Sequence, residues 1–174
     1  MFTRTSVLVI SAALVLTGCS ASSDDAAPAA SAPTDAAPAL TGTPVSVEVS
    51  GEAGSEPIVS ITPGDPVTEL QVTDVIVGTG DPLPAGATLT ADYVGYGGAT
   101  GQMFDASWVR GEPATFPLDN VILGWQQGLV GMQIGGRRLL VIPAELGYGN
   151  NPPPGSGIEP GETLIFVVDL VSFE

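Results

Sequence analysis

Nineteen Asp and Glu, four Arg, one Cys and not a single His are the charged and metal-ligating side chains from which this 174-residue chain must build any chemistry. Without His there is no imidazole to move a proton near neutral pH, no Ser-His triad and no His metal site. Cys19 is the only thiol, so no disulfide can close within the chain. The carboxylates are numerous enough to suggest an acidic glycosidase-like pair, but they are expected to lie scattered on loops and strand exteriors. What remains is a set of aromatics with polar tips: Tyr93, Phe104, Trp125, Tyr148 and Phe166. Asp105 follows Phe104, and Arg110 stands five residues further on. Such a set can line a dry pocket with one or two hydrogen-bond donors. Each member also has a plainer reading. Buried aromatics usually belong to the core, Tyr148 in Leu146-Gly147-Tyr148-Gly149 can anchor a loop, and Asp105 and Arg110 can be a simple ion pair. Arg137-Arg138, beside a strand, reads as a solvated edge.

The elements that must position these residues are legible. Val121 to Gly149 reads as a turn, a short helix, a Gly-Gly corner, a strand and a Tyr-bearing loop. Trp125 and Leu129 sit at i and i+4 and share a helix face. Gly128 between them allows another backbone to approach closely. Gly135-Gly136 turns the chain, Arg137–Ile142 is a short apolar strand, and Pro143 closes it because proline cannot donate to a ladder. Glu69–Val77 is a first strand. Thr88–Gly95 alternates cleanly, with Leu89, Ala91 and Tyr93 on one face and Thr90 and Asp92 on the other. A hairpin loop at Gly97–Gly101, short strands at Met103–Asp105 and Glu112–Leu118, and the longest strand at Thr163–Phe173 complete the set. Many short strands and one short helix predict an α+β fold, an antiparallel sheet curled over the helix.

The run Val121-Ile122-x-Gly124-Trp125-x-x-Gly128-Leu129-x-Gly131-Met132-x-x-Gly135-Gly136-Arg137-Arg138-x-Leu140-x-Ile142-Pro143-x-x-Leu146-Gly147-Tyr148-Gly149 closely resembles the FK506-binding-protein family of peptidyl-prolyl cis-trans isomerases. The resemblance extends from Leu70 to Phe173. It implies rotation about Xaa–Pro bonds, whose barrier of about 18–20 kcal/mol comes from amide resonance. That reaction needs no nucleophile, metal or cofactor. Twisting the amide removes charge from its carbonyl oxygen, so a dry pocket that solvates the planar dipole poorly favours the twisted state. The resemblance assigns Trp125 to the pocket floor under the proline ring, Tyr93, Phe104 and Phe166 to its aromatic walls, and Val121 and Ile122 to another wall. The Ile122 backbone N–H and the Tyr148 hydroxyl become donors to the substrate. Asp105 is the polar residue beside the pocket, with Asp105, Tyr148 and Trp125 carrying catalysis, and Ile158 lies in a flap over the site. Partners implied are Xaa-Pro segments and FK506- or rapamycin-type ligands. The chain departs from the family in three places. Ala114 stands where an aromatic is common between Pro113 and Phe116, the segment Leu118-Asp119-Asn120-Val121 lacks the acid some relatives carry just before Val121, and the flap at Asn150–Gly157 is proline-rich. The rival to a turning-over isomerase is a module or chaperone that merely holds Pro-containing segments.

The N-terminal part carries an address. Arg4 and the apolar run Val7–Leu16, too short to span a bilayer, precede Leu16-Thr17-Gly18-Cys19, which resembles a bacterial lipobox. Residues 1–18 are therefore expected to be a signal peptide, and Cys19 is expected to be lipidated and to hold the protein at the outer face of the cytoplasmic membrane, where it would serve exported proteins. Cleavage removes Arg4 and no acid, moving the net charge from −15 to −16, so nucleic acid and anionic headgroups are poor partners. Residues 19–44, rich in Ala, Ser, Pro, Asp and Thr, are expected to be a disordered tether with a reach of roughly 25–30 Å. Residues 45–66 form an N-terminal extension, and 67–174 the isomerase domain, expected as a monomer. Val45, Val47 and Val49 alternate with polar residues, and Ile58–Ile61 is a second apolar run. Leu164, Phe166, Val168 and Leu170 should face the core, which leaves Ile165, Val167 and Val171 on the other face of the last strand. That excess of apolar surface predicts a cover, and Val45–Ile61 is the expected one, with dimerisation as the alternative.

Overall fold

The computed structural model describes residues 42–174; the expected signal peptide, Cys19 and nearly all of the expected tether lie outside them. The described chain runs as β1 (Ser46–Ser50), β2 (Ile58–Thr62), β3 (Gln71–Ile76), β4 (Thr88–Gly97), β5 (Met103–Ala106), α1 (Ser107–Arg110), β6 (Ala114–Pro117), α2 (Leu123–Gly128), β7 (Arg137–Ile142) and β8 (Leu164–Phe173). Strands β3-β7-β8-β4-β5 lie in that order in one sheet, every pairing antiparallel, and β6 pairs with the first half of β4. β1 and β2 form a separate antiparallel hairpin. The expected α+β class holds, with one addition. The single turn α1 follows β5 directly, where Ser107-Trp108-Val109-Arg110 gives no helical periodicity to read; Gly111 ends it at φ 77°.

The sheet curls over α2. Leu89, Ala91 and Tyr93 of β4, Leu140 and Ile142 of β7, and Leu164, Phe166, Val168 and Leu170 of β8 join Trp125, Leu129 and Met132 in the main core. This is the face that period-2 alternation predicts. The helix sits close to β7 because two of its residues have no side chain. A Cβ on Gly124 would lie 2.4 Å from the Ile142 side chain, and one on Gly128 would lie 2.7 Å from that of Leu140. Gly128 thus admits a side chain of the sheet, where the sequence suggests a backbone.

The opposite face of the sheet is also buried. Val45 and Val67 pack with Val141 and Ile165, joined by Val47, Ile61, Tyr96 and Leu139. Val94, Ala106 and Val167 form a neighbouring cluster with Val49, Val59 and Trp108. The β1–β2 hairpin thus lies over the second apolar face of β7 and β8, within the same compact unit as the sheet.

Arg137 and Arg138 correct the sequence reading. Neither is a solvated edge: Arg137 is 0% exposed and Arg138 8%. β7 lies between β3 and β8, so an arginine there is interior and must be paired. Arg137 forks onto Asp169 of β8, Nε to Oδ1 at 2.6 Å and Nη2 to Oδ2 at 2.7 Å. The loop of the β1–β2 hairpin closes over the pair: Arg137 Nη2 donates to the Ser55 carbonyl, and the Gly54 N–H donates to Asp169 Oδ2 at 2.7 Å. Arg138 forks onto Asp74 of β3, at 2.6 and 3.0 Å. Several acids expected on loops and strand exteriors are likewise buried, namely Asp92, Glu162 and Asp169.

Candidate active site

The site is assembled from four elements. β4 brings Tyr93, β5 brings Phe104 and Asp105, β8 brings Phe166, and α2 with the turn before it brings Val121, Ile122 and Trp125. With Tyr148, Phe116 and Asn120 these line a cavity of about 290 Å³. Trp125 is 4% exposed and stands nearly perpendicular to Phe166, Tyr93 and Phe116, at centroid distances of 5.3, 5.5 and 5.8 Å. Phe104 meets Phe166 edge-on at 5.5 Å. Edge-to-face contacts of this kind hold rings rigidly and leave a flat apolar floor. Gly95 makes room for two of the walls, since a Cβ there would lie 2.7 Å from the Phe104 ring and 2.9 Å from Phe166. The Trp125 Nε1–H is buried with no hydrogen-bond partner among the described residues.

The backbone around these rings is held by buried polar groups. The Ser107 hydroxyl accepts from the Tyr93 N–H at 2.9 Å and donates to Asp92 Oδ1 at 2.8 Å. Arg138 Nη1 donates to the Gly128 carbonyl at 2.8 Å, at the C-terminal end of the helix that carries Trp125, where a cation is favoured. The Gln126 amide donates to the Val121 carbonyl at 2.8 Å, fixing the entry to α2. Ile122 is the N-cap of that helix, so its own N–H has no intrahelical acceptor and is available to a ligand.

On the polar side, the Tyr93 hydroxyl donates to Asp105 Oδ2 at 2.5 Å and accepts from Arg110 Nη2 at 2.8 Å, while Arg110 Nη1 donates to Asp105 Oδ1 at 2.7 Å. The guanidinium also lies 5.4 Å from the Tyr93 ring centroid. Burial and the Asp105 hydrogen bond push the Tyr93 phenol up to about 12. Partial burial raises the Asp105 pKa, but the hydrogen bonds from Tyr93 and Arg110 outweigh it and hold the carboxyl below the ordinary aspartate value. Burial, and then the charge on Asp105, raise the Tyr148 phenol. Near neutral pH the site therefore presents neutral phenols and a carboxylate already engaged twice. No group here is poised to take or give a proton.

Of the residues named from the sequence, Tyr93, Phe104, Asp105, Val121, Ile122, Trp125, Tyr148 and Phe166 come together in this cavity. Ile158 does not line it. It is half-buried and packs against the main core. Phe116 and Asn120 line the cavity and were missed. Phe116 gave a signal, being the aromatic of an alternating strand between two prolines; Asn120 gave none. Ala114 is on the Phe116 strand, paired with Ala91, and adds no aromatic to the rim.

Comparison with known proteins agrees with this geometry. The FKBP-type peptidyl-prolyl cis-trans isomerase family matches residues 80–171. An FK506-binding protein of Streptomyces anulatus is 49% identical over 119 residues, 67% of this chain and 96% of the relative. A probable FK506-binding protein of Corynebacterium glutamicum is 43% identical over 118 residues, covering 67% and 98%. The crystal structure of FkpA from Escherichia coli superposes with a TM-score of 0.56 at 41% identity, over 62% of this chain and 49% of that one. A peptidyl-prolyl isomerase from Pseudomonas syringae gives 0.56 at 31% identity, over 63% and 78%. An aromatic box with neutral hydroxyls and no acid–base pair, on a curled antiparallel sheet closed over one helix, carries the sequence signature of these relatives: the chain belongs to the FKBP-type peptidyl-prolyl cis-trans isomerases.

Proposed function

We propose that this isomerase accelerates folding of exported proteins by desolvating Xaa–Pro amides in the Trp125 cavity, without proton transfer. The observation that carries the reading is the closed Asp105–Tyr93–Arg110 triangle beside a dry aromatic floor. The proline ring rests on Trp125 between Tyr93, Phe104 and Phe166. The planar amide loses the solvation of its dipole, the twisted amide loses much less, and the difference lowers the barrier. The Ile122 N–H and the Tyr148 hydroxyl donate hydrogen bonds to the substrate's carbonyl oxygens and fix its orientation. An uncatalysed bond turns over in tens to hundreds of seconds; reaching milliseconds requires about 10⁴-fold, or roughly 5.5 kcal/mol. The same cavity would take FK506- or rapamycin-type ligands, as the names of the Streptomyces and Corynebacterium relatives suggest.

The place of action follows from the leader. Lipidation of Cys19, with more than one acyl chain for stable anchoring, would hold a monomeric domain on its tether outside the cytoplasmic membrane. Two experiments test these readings. Isomerisation of short Xaa–Pro peptides should be fast and inhibited by an FK506-type ligand; tight peptide binding with negligible turnover would instead favour a holding module. Cys19→Ser should release the protein from the membrane fraction or leave its leader uncleaved, and a wild-type chain found soluble and unlipidated would end the anchoring proposal.

A further inference from the structure

Beside the proline cavity lies a second hollow of about 200 Å³, lined by Met103, Phe104, Asp105, Ala106, Val109 and Arg110. It shares Phe104 and Asp105 with the first, so the two are continuous across one ring and one carboxylate. Met103 is 49% exposed and Val109 is 74% exposed, both among the few large apolar side chains left open to solvent. Around Val109, the rest of α1 is occupied. Ser107 is buried against Tyr93 and Asp92, Trp108 packs under the hairpin side, and Arg110 is tied to Asp105 and Tyr93. Val109 alone has nothing to hold in the folded domain. Apolar side chains grouped at the rim of a ligand cavity mark a contact surface.

We propose that Met103 and Val109 form an apolar subsite that receives an aliphatic side chain of the substrate segment, outside the Xaa–Pro pair itself. This rests on the isomerase reading of the neighbouring cavity and adds a specificity to it. The charges that border the hollow satisfy each other, Arg110 Nη1 on Asp105 Oδ1 at 2.7 Å, so an ionic side chain finds no free partner there. An aliphatic one covers Met103, Val109 and the Phe104 edge. An extended peptide advances about 3.3–3.6 Å per residue, and the hollow shares Phe104 and Asp105 with the cavity that seats the proline, so the residue next to the Xaa–Pro pair is the one placed to enter it.

The test uses peptides with a constant Xaa–Pro pair and Ser, Leu or Lys at each flanking position, followed by a protease-free isomerisation assay so that no protease adds its own preference. Wild-type protein should prefer Leu to Ser at one flank by about 3- to 12-fold in kcat/KM, chiefly through KM, the effect of partly burying one aliphatic side chain. The double variant Met103→Gln/Val109→Gln should lose that preference while its kcat/KM on the Ser-flanked peptide stays at the wild-type value. Isomerisation that proceeds with no flank preference, a Leu preference that survives in the double variant, or Lys favoured over Leu would each overturn the subsite. Absence of isomerisation on every peptide would overturn the isomerase reading, and the subsite with it.

Discussion

Removing Arg137 tests how the second face of the sheet is held. The guanidinium is 0% exposed and Asp169 5%, so each charge depends on the other. Arg137→Met leaves the Asp169 carboxylate buried with the Gly54 N–H as its remaining donor. Breaking one side of a buried pair costs about 3–5 kcal/mol. For a domain of this size that corresponds to a fall in Tm of roughly 10–20 °C. The double variant Arg137→Met/Asp169→Leu removes both charges from an apolar surround that already holds Val167 and Leu139, and should recover most of the loss. Pocket geometry should survive, because Phe166 and Val168 face the other side of β8. Isomerase activity at 25 °C should therefore stay within about twofold of wild type in the double variant, on the order of 0.4 kcal/mol. Urea unfolding of the wild type, the single variants Arg137→Met and Asp169→Leu, and the double variant closes a double-mutant cycle that measures the coupling. A single variant that loses less than about 1 kcal/mol, or a double variant whose loss equals the sum of the two singles, would refute the account of the pair as mutually dependent.

Further outcomes follow from the site. Tyr148→Phe removes one neutral hydrogen bond worth about 0.5–1.5 kcal/mol, so kcat/KM should fall roughly 2- to 12-fold, and abolition with the fold intact would point to covalent or acid–base chemistry. Asp105→Asn should also be a partial loss, and the pH–rate profile should be flat from pH 6 to 8, because Tyr93 titrates near 12 and Asp105 below the ordinary aspartate range; a bell-shaped profile would sink the desolvation mechanism. The same shifts set signs for stability. The Asp105 contribution is present above the unfolded aspartate range and lost as pH falls through its lowered value, and the Tyr93 contribution is present below 10 and lost as pH rises towards 12, so urea midpoints of wild type against Asp105→Asn should converge below pH 4. Ser107→Ala orphans the Tyr93 N–H and one Asp92 oxygen and should cost about 1–3 kcal/mol in chemical denaturation. Deleting residues 45–61 should lower Tm and promote association by uncovering Ile165 and Val167, whereas a truncated domain equally stable and monomeric would argue against the covering role of the hairpin.

Periodicity carried most of the fold. The first half of β4 alternates so cleanly that its core face can be read from spacing alone, whereas β8 is apolar on both faces, and that excess on its far face calls for a cover. The cavity was legible for a different reason: an aromatic set in fixed order along a Gly-punctuated stretch is a property of the string, and family resemblance attached roles to it. Charged residues were read least well. Arg137, Arg138, Asp169, Asp92 and Glu162 looked like exterior polar positions, since a charge in a short strand says nothing about which strands flank it. Only the sheet order places β7 in the interior, and only then must its arginines find Asp74 and Asp169, 64 and 32 residues away along the chain. Ile158 packs on the core without lining the cavity, a loop path that loop sequence does not determine, and Asn120 joins the cavity through the turn before α2 without any signal of its own. Local pattern, then, determined which faces are apolar and which residues could form a pocket. Tertiary structure decided which charges are buried and with whom, because burial and pairing are set by neighbours that sequence spacing does not encode.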